Sequence, residues 1–190
     1  MIPYLDKPLT VGILSIDTGS ISLGVSYSVF DYRTGIQQVV ISTTFKIQSV
    51  INHGDCRFNT AATTNMQKTD AIYNVIRSMC HTYQPDIVVA EASFLGRFPT
   101  AFASLTLALN AIERACYDYD ADVGYATIDP ITVKNSIGVK GKGTDKEDMR
   151  RAVQAHPSIH LGVIDLALLD EHAIDSIAIG YCYYRLTTSL

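Results

Sequence analysis

The sequence has no excess of positive charge. Its 190 residues include 15 Lys and Arg against 19 Asp and Glu, which gives a formal net charge of −4. A protein that coats nucleic acid through bulk positive charge is therefore excluded, although a local basic patch is not. With 47% hydrophobic and 18% charged residues, the chain can bury a hydrophobic core, so disordered and collagen-like chains are excluded as well.

Cysteine is scarce and widely spaced. No CxxC pair occurs, so the sequence predicts neither a cysteine metal site nor a redox pair, and it lacks the density of a disulfide framework. This usage fits a reducing environment, and we expect a cytoplasmic protein, in a cell or in a phage-infected cell. The four cysteines are Cys56, Cys80, Cys116 and Cys182.

Long hydrophobic runs are also absent. Nowhere do about 18 apolar residues follow one another, so no membrane-spanning helix and no membrane partner are expected. The N-terminus holds Asp6, Lys7 and two prolines where a signal peptide has a basic start and an apolar run. No internal repeat or low-complexity linker divides the chain, and we expect a single domain over residues 1–190.

The first part of the chain contains three β-rich stretches. Residues 11–17 form a short apolar run, and residues 21–31 and 36–46 follow it across turn-forming residues. No helical pattern separates these stretches, which predicts an antiparallel meander of three strands.

The remainder alternates between helical and strand patterns. Apolar residues recur at helical spacing over residues 66–83, and the short β-branched run over residues 86–91 predicts a buried strand. Because the first three strands lack intervening helices, the expected fold class is α/β with a mixed sheet flanked by helices. Further helices are predicted over residues 100–118, 130–137, 144–156 and 170–186, and a further strand over residues 123–128.

Acidic residues end two of the predicted strands. Asp17 closes the first strand and Glu91 closes the fourth, so both carboxylates emerge at one edge if these strands are neighbours. On the last helix, His172 and Asp175 are three residues apart, hence about 60° apart around the axis, and can point at one ion. Glu171, four residues before Asp175, is a spare ligand.

This donor set predicts a site for Mg²⁺, with Mn²⁺ also supported, because carboxylates suit both ions and one imidazole favours the softer one. Such a site can hold two ions about 4 Å apart that activate water and stabilise the leaving oxygen in phosphodiester cleavage. Structural explanations remain open: Asp17 is typical of a turn, and His172 of a histidine packed beside an apolar stripe. Glu91 directly follows an apolar strand and requires a partner for its charge.

Positive charge is concentrated in residues 131–151. This segment has six basic residues against three acidic ones, a local charge of +3 in a chain of net −4. Lysines beside glycines allow the backbone to approach phosphates closely, and the alternative is a solvated loop. We therefore expect Lys142 and Lys146 to bind the phosphates of a nucleic acid, with Arg97 as a further phosphate contact.

Four sequence blocks occur in the order found in the RuvC family of Holliday junction resolvases, which the chain resembles over residues 13–179. The blocks are Ile16-Asp17-Thr18-Gly19-Ser20 with Gly24, Gln84-Pro85-Asp86 leading to Glu91-Ala92-Ser93-Phe94, Val133-Lys134 with Ile137-Gly138, Gly141, Gly143 and Lys146, and His172-Ala173-Ile174-Asp175-Ser176-Ile177-Ala178.

The resemblance implies an RNase H-like fold with a mixed five-stranded sheet. It also implies a homodimer whose two active sites cut opposite strands of a four-way DNA junction, leaving 5′-phosphate and 3′-hydroxyl ends. By motif, Asp17, Glu91, His172 and Asp175 correspond to the metal-binding catalytic residues. Many members carry Asp where this chain has His172, which leaves the metal preference open.

The same motifs imply DNA-binding roles. Lys134 and Lys146 match basic positions of the family, whereas Lys142 is inferred from its charge and its neighbouring glycines. Phe94 matches an aromatic residue that stacks at the opened centre of the junction, and ordinary packing is the alternative. The second predicted helix, residues 100–118, offers an apolar surface for a second copy.

Three other functions are compatible with parts of this pattern. Asp17-Thr18-Gly19 also resembles the phosphate loop of actin-like ATPases and sugar kinases, but the chain has neither a second such domain nor a second loop. A non-catalytic junction-binding module would lack at least one of the four ligands. A nuclease that cuts flaps, three-way junctions or RNA would have an identical metal site, because fold and site do not determine the substrate.

Overall fold

The structure is a computed structural model that describes residues 9–53, 64–93, 99–139 and 146–188. Its strands are β1 (Thr10–Asp17), β2 (Ser22–Asp31), β3 (Ile36–Lys46), β4 (Ile87–Glu91), β5 (Gly124–Ile128) and β6 (Ile159–His160). Its helices are α1 (Ile47–Asn52), α2 (Thr64–Tyr83), α3 (Pro99–Tyr119), α4 (Pro130–Ser136), α5 (Lys146–Ala155) and α6 (Glu171–Thr188), with a 3₁₀ turn at Leu166–Leu168.

The strands form one mixed sheet in the order β5-β4-β1-β2-β3-β6. β1, β2 and β3 are an antiparallel meander, as the sequence predicted, while β4 and β5 run parallel to β1. β1 lies inside the sheet, and six of its eight residues are buried. Its nearly continuous apolar sequence is explained by this position, because both faces of the strand are covered.

The sheet has six strands, where the resemblance implied five. The additional strand, β6, contains only Ile159 and His160, which pair in parallel with Gln37 and Gln38 at the beginning of β3. Two residues are too short to show a period, so this strand left no recognisable pattern in the sequence. The short helix α1 was also missed, because it continues directly from β3 and the side chain of Lys46 does not cap its start.

Each face of the sheet has its own hydrophobic cluster. The cluster under α2 and α3 includes Leu14 and Ile16 of β1, while the cluster under α4, α5 and α6 includes Ile13. Successive side chains of a strand point to opposite faces. The end of β1 therefore directs Asp17 to the same face as Ile13, which is the face covered by α6.

Helix α6 lies close to the sheet and hydrogen-bonds to it. The Ser42 hydroxyl of β3 donates to the carbonyl of Ala173 at 2.7 Å, and the Gln37 amide donates to the carbonyl of Ile177 at 3.2 Å. Gly180 permits this approach, because a Cβ atom there would lie 2.7 Å from the hydroxyl oxygen of Ser15. Within the described ranges, no helix is long and apolar enough to cross a membrane.

Candidate metal centre and nucleic-acid interface

Two carboxylates meet at one edge of the sheet. β1 and β4 are parallel neighbours with Ile16 opposite Ala90, so the next residues, Asp17 and Glu91, lie side by side at the carboxyl ends of their strands. Both follow the alternation of their strands to the α6 face, as Val89 does in β4. The strand order therefore confirms the expectation that these two acids lie at one edge of the sheet.

The first turns of α6 bring two further ligand candidates to this edge. His172 Nδ1 lies 2.6 Å from Asp17 Oδ2, and His172 Nε2 lies 3.7 Å from Glu171 Oε1. A glycine allows the helix to start so close to β2: a Cβ atom at Gly24 would lie 2.0 Å from the carbonyl oxygen of His172. The short contact between His172 and Asp17 thus depends on the missing side chain of residue 24.

These side chains share a cavity of about 330 Å³. All four predicted metal ligands line it, together with Lys134 and with the spare ligand Glu171. Asp170 does not line it, because its carboxylate binds the Thr44 hydroxyl and the Lys46 ammonium group of β3. The lining residues are Asp17, Glu91, Pro130, Val133, Lys134, Met149, Glu171, His172 and Asp175.

The crowding of carboxylates opposes their ionisation. Burial, the charges of Asp17 and Asp175 and a hydrogen bond to Asp17 raise the pKa of Glu91 to about 8. Burial and the charge of Asp17 raise the pKa of Asp175 to about 7. The Lys134 ammonium group acts in the opposite direction and lowers the pKa of both groups. A cation in the cavity would relieve this repulsion and allow both carboxyls to ionise.

His172 and Asp17 stabilise each other electrostatically. The hydrogen bond to the Asp17 carboxylate raises the pKa of His172, and burial of the ring acts against this effect. Because a carboxylate only accepts, the proton of this hydrogen bond lies on Nδ1. Nε2 of the neutral ring is then the nitrogen that has a free lone pair for a metal ion or a proton.

The donor set fits a divalent cation. Within the described part of the chain, Asp175 Oδ1 is a buried polar atom without a hydrogen-bond partner, and a buried carboxylate oxygen without a partner is costly. Among the residues that the structure describes, no group of three or more His, Cys, Asp or Glu side chains is already arranged to hold a metal ion. An open, oxygen-rich cavity suits Mg²⁺, which keeps several of its waters and binds through few carboxylates.

The predicted DNA contacts are placed only in part. Lys134 lies in α4 and lines the cavity. Phe94, Arg97 and Lys142 lie outside the described residues, and Lys146 is the first residue of α5. Their DNA-binding roles stay predictions.

Two residues counted in the basic segment have partners inside the protein. Arg151 Nη2 lies 2.7 Å from Asp148 Oδ1. Arg150 Nη2 donates to the carbonyl of Leu169 at 2.9 Å, Nη1 donates to the carbonyl of Leu166, and the side chain is only 25% exposed. Arg150 is therefore largely withdrawn from the surface, whereas Arg151 is 66% exposed and its partner Asp148 was already counted in the local charge of +3. Nothing in the sequence pattern signals the carbonyl partners, which lie 16 and 19 residues away.

No protein-family model and no curated protein sequence matches the chain. Among solved structures, RuvC of Thermus thermophilus in complex with a Holliday junction substrate has a TM-score of 0.66 at 16% identity and covers 93% of this chain and 95% of its own. The yeast mitochondrial Holliday junction resolvase Ydc2 has a TM-score of 0.67 at 10% identity, with coverages of 93% and 80%. Fowlpox virus resolvase with its Holliday junction DNA has a TM-score of 0.54 at 14% identity, with coverages of 93% and 98%. The chain therefore has the mixed α/β fold of the RuvC-type Holliday junction resolvases, as its sequence motifs predicted.

Proposed function

We propose that this protein is a metal-dependent endonuclease that resolves four-way DNA junctions by paired symmetric nicks. The observation that carries the proposal is the convergence of Asp17, Glu91, His172 and Asp175 on one cavity, in a fold shared with Holliday junction resolvases. Hydrolysis would leave 5′-phosphate and 3′-hydroxyl ends, which a ligase can rejoin.

Mg²⁺ is the proposed cofactor, and Mn²⁺ should also support activity. Asp17, Glu91 and Asp175 would hold the ion through their oxygens, and His172 would either ligate it or assist the attacking water. When bound, the ion supplies the positive charge that activates water and stabilises the leaving oxygen of a phosphodiester.

The protein's own groups prepare this site. The Nδ1–H of His172 donates to Asp17 and orients its carboxylate, which leaves Nε2 to accept a proton from the attacking water. Lys134 favours the ionised forms of Glu91 and Asp175 but leaves their pKa values at about 8 and about 7, so the charge of a bound cation would complete the ionisation of both carboxyls near neutral pH. A phosphate that enters the cavity also meets this ammonium group.

Branched DNA is the proposed partner. Lys134 at the cavity supports this assignment, and the proposed contacts of Phe94, Arg97, Lys142 and Lys146 rest on the sequence motifs and local charge. Phe94 would stack on unpaired bases at the centre of the junction, while the basic side chains would bind phosphates.

Paired nicking needs two active sites, and we propose a homodimer that uses the face formed by α2 and α3. A groove of about 420 Å³ lies between these helices. Met66 and Leu107 line it and are 50% and 40% exposed, so the groove offers neighbouring apolar side chains that a second copy would cover. The groove also contains Tyr73 and Arg114, residue types common at protein interfaces.

Cleavage of an immobile synthetic four-way junction tests the proposal directly. Flap, three-way and linear duplex substrates would be compared in Mg²⁺ and in Mn²⁺, with Asp17→Asn as the inactive control. We expect paired symmetric nicks in the four-way junction alone. Cutting of all branched substrates would identify a broader structure-specific nuclease, and binding of the junction without cutting in either metal would identify a junction-binding module.

A further inference from the structure

The backbone that leads into α6 is held by a side chain from another helix. Arg150 of α5 donates through Nη2 to the carbonyl of Leu169 at 2.9 Å and through Nη1 to the carbonyl of Leu166. Its Nε lies 3.5 Å from Glu147 Oε2, which orients the guanidinium group from its own helix. All three nitrogens of the guanidinium group therefore have partners inside the protein.

The sheet also holds this backbone. Asp170 accepts a hydrogen bond from the backbone amide of Ala173 at 3.2 Å and so caps the start of α6. Its carboxylate also binds the hydroxyl of Thr44 and, at 3.1 Å, the ammonium group of Lys46 in β3. Adjacent residues, Leu169 and Asp170, are thus attached to α5 and to β3 directly before α6 begins.

This attachment determines where two proposed metal ligands lie. His172 is the second residue of α6 and Asp175 lies one turn later, so a shift of the helix start moves both side chains relative to Asp17 and Glu91. The strands hold Asp17 and Glu91 independently of α6. Displacements of about 1 Å in a catalytic arrangement can reduce the rate about 10²-fold.

We propose that Arg150 is a positioning residue of the metal centre: it holds the start of α6 so that His172 and Asp175 face the two strand-end carboxylates. The proposal rests on the proposed function. It gives a role inside the protein to a side chain that the sequence analysis counted among the basic residues available to DNA. Arginine suits this role because its planar fork offers several donors in fixed directions, whereas lysine offers a single flexible ammonium group.

Arg150→Ala, Arg150→Lys and Arg151→Ala are the variants for the test. Arg151→Ala is the matched control because it removes the same charge from the next position of α5, where the arginine contacts its own helix. The metal-free protein is examined by NMR of the His172 imidazole, assigned with His172→Gln. Mn²⁺ affinity is measured by calorimetry without DNA, and junction affinity by fluorescence anisotropy in EDTA at several salt concentrations.

We expect Arg150→Ala to shift the His172 imidazole resonances and to weaken Mn²⁺ binding about 10-fold or more, since two of the proposed ligands would lose their position. Its junction affinity and salt dependence should match those of Arg151→Ala. The His172 resonances and the Mn²⁺ affinity of Arg150→Lys should lie between those of the wild type and those of Arg150→Ala. If Arg150→Ala does not fold, Arg150→Lys is the variant that tests the proposal.

Unchanged His172 resonances would overturn the proposal. So would a specific loss of junction affinity with a salt slope reduced by about 1, which is the signature of a phosphate contact. The NMR measurement needs neither metal nor cleavage. If the wild-type protein cuts no branched DNA, the proposed function is contradicted. The NMR resonances of His172 still decide the role of Arg150 in that case.

Discussion

At the scale of single residues, Asp17 has one neighbour that attracts its negative charge and two that are repelled by it. It accepts a hydrogen bond from His172, and its negative charge raises the pKa of Glu91 and of Asp175. Removing its charge therefore has two effects: a metal ligand is lost, and repulsion within the cavity decreases. Stability and activity are expected to respond to this change in opposite directions.

Asp17→Asn should abolish cleavage in Mg²⁺ and leave junction binding unchanged or improved. The substitution removes a negative charge from the metal site, whereas the basic side chains remain. Cleavage and anisotropy assays on the same junction would check this result. A loss of junction binding together with a lower melting temperature would instead assign Asp17 a role in folding.

The stability of the metal-free protein should fall as the pH rises from about 5 to 8. The pKa of Glu91 is raised to about 8 from 4.5 and that of Asp175 to about 7 from 3.8, so the folded state binds protons that the unfolded state releases over this range. The raised pKa of His172 acts in the same direction.

Melting temperatures in EDTA and in Mg²⁺ across this pH range would measure the effect. Mg²⁺ should stabilise the protein more at the upper end of the range than at the lower end, because it binds the ionised carboxylates. Glu91→Gln should flatten the pH profile in EDTA. A pH-independent melting temperature in EDTA would contradict the assigned pKa shifts.

At the scale of secondary-structure elements, the approach of α6 to the sheet depends on glycine. Gly24→Ala would place a Cβ atom 2.0 Å from the carbonyl oxygen of His172, so two backbone segments would have to separate. We expect a loss of about 1–3 kcal/mol in the free energy of unfolding and a loss of about 10²-fold or more in cleavage rate.

Gly35→Ala is the matched control for this prediction. Gly35 has a φ of 69°, and a Cβ atom added to it would meet nothing within 4 Å. It lies in the turn between β2 and β3, at the opposite end of these strands from Gly24. Its replacement should reduce stability by about 1 kcal/mol without a specific effect on cleavage. Equal losses of cleavage in both variants, at equal stability, would contradict the importance of the α6 contact.

The elements themselves follow from short-range patterns in the sequence. Helical spacing predicted α2 and α3 to within two residues at either end, and α6 to within two residues as well. The sequence also indicates which side chains of β1 and of β4 share a face of the sheet, since residues two apart in a strand point to the same side. The pairing of β6 with β3 has no such local signal, because it arises from contacts between residues about 120 positions apart.

At the scale of the whole molecule, the proposed dimer decides whether nicks are paired. Leu107→Glu should convert the dimer to a monomer, because a charge would enter the apolar groove between α2 and α3. The monomer should still nick junctions but no longer in a paired, symmetric way. Sedimentation at micromolar concentration and analysis of nick positions would measure both effects.

Val163→Glu is the control for the dimer prediction. Val163 is a fully exposed apolar residue outside the α2–α3 groove, so its replacement adds the same charge without entering the proposed interface. A wild-type protein that sediments as a monomer with junction bound would contradict the homodimer.

The sequence alone determined the longer helices and strands, the strand ends that carry Asp17 and Glu91, and the placement of His172 and Asp175 on one helix. These features depend on local periodicity, which neighbouring residues encode. Only the tertiary structure decided that β1 adjoins β4, that Gly24 admits His172 to the side of Asp17, and that Arg150 turns inward to backbone carbonyls. These outcomes depend on packing between segments far apart in the chain, where shape and hydrogen bonding select one arrangement that no local pattern specifies.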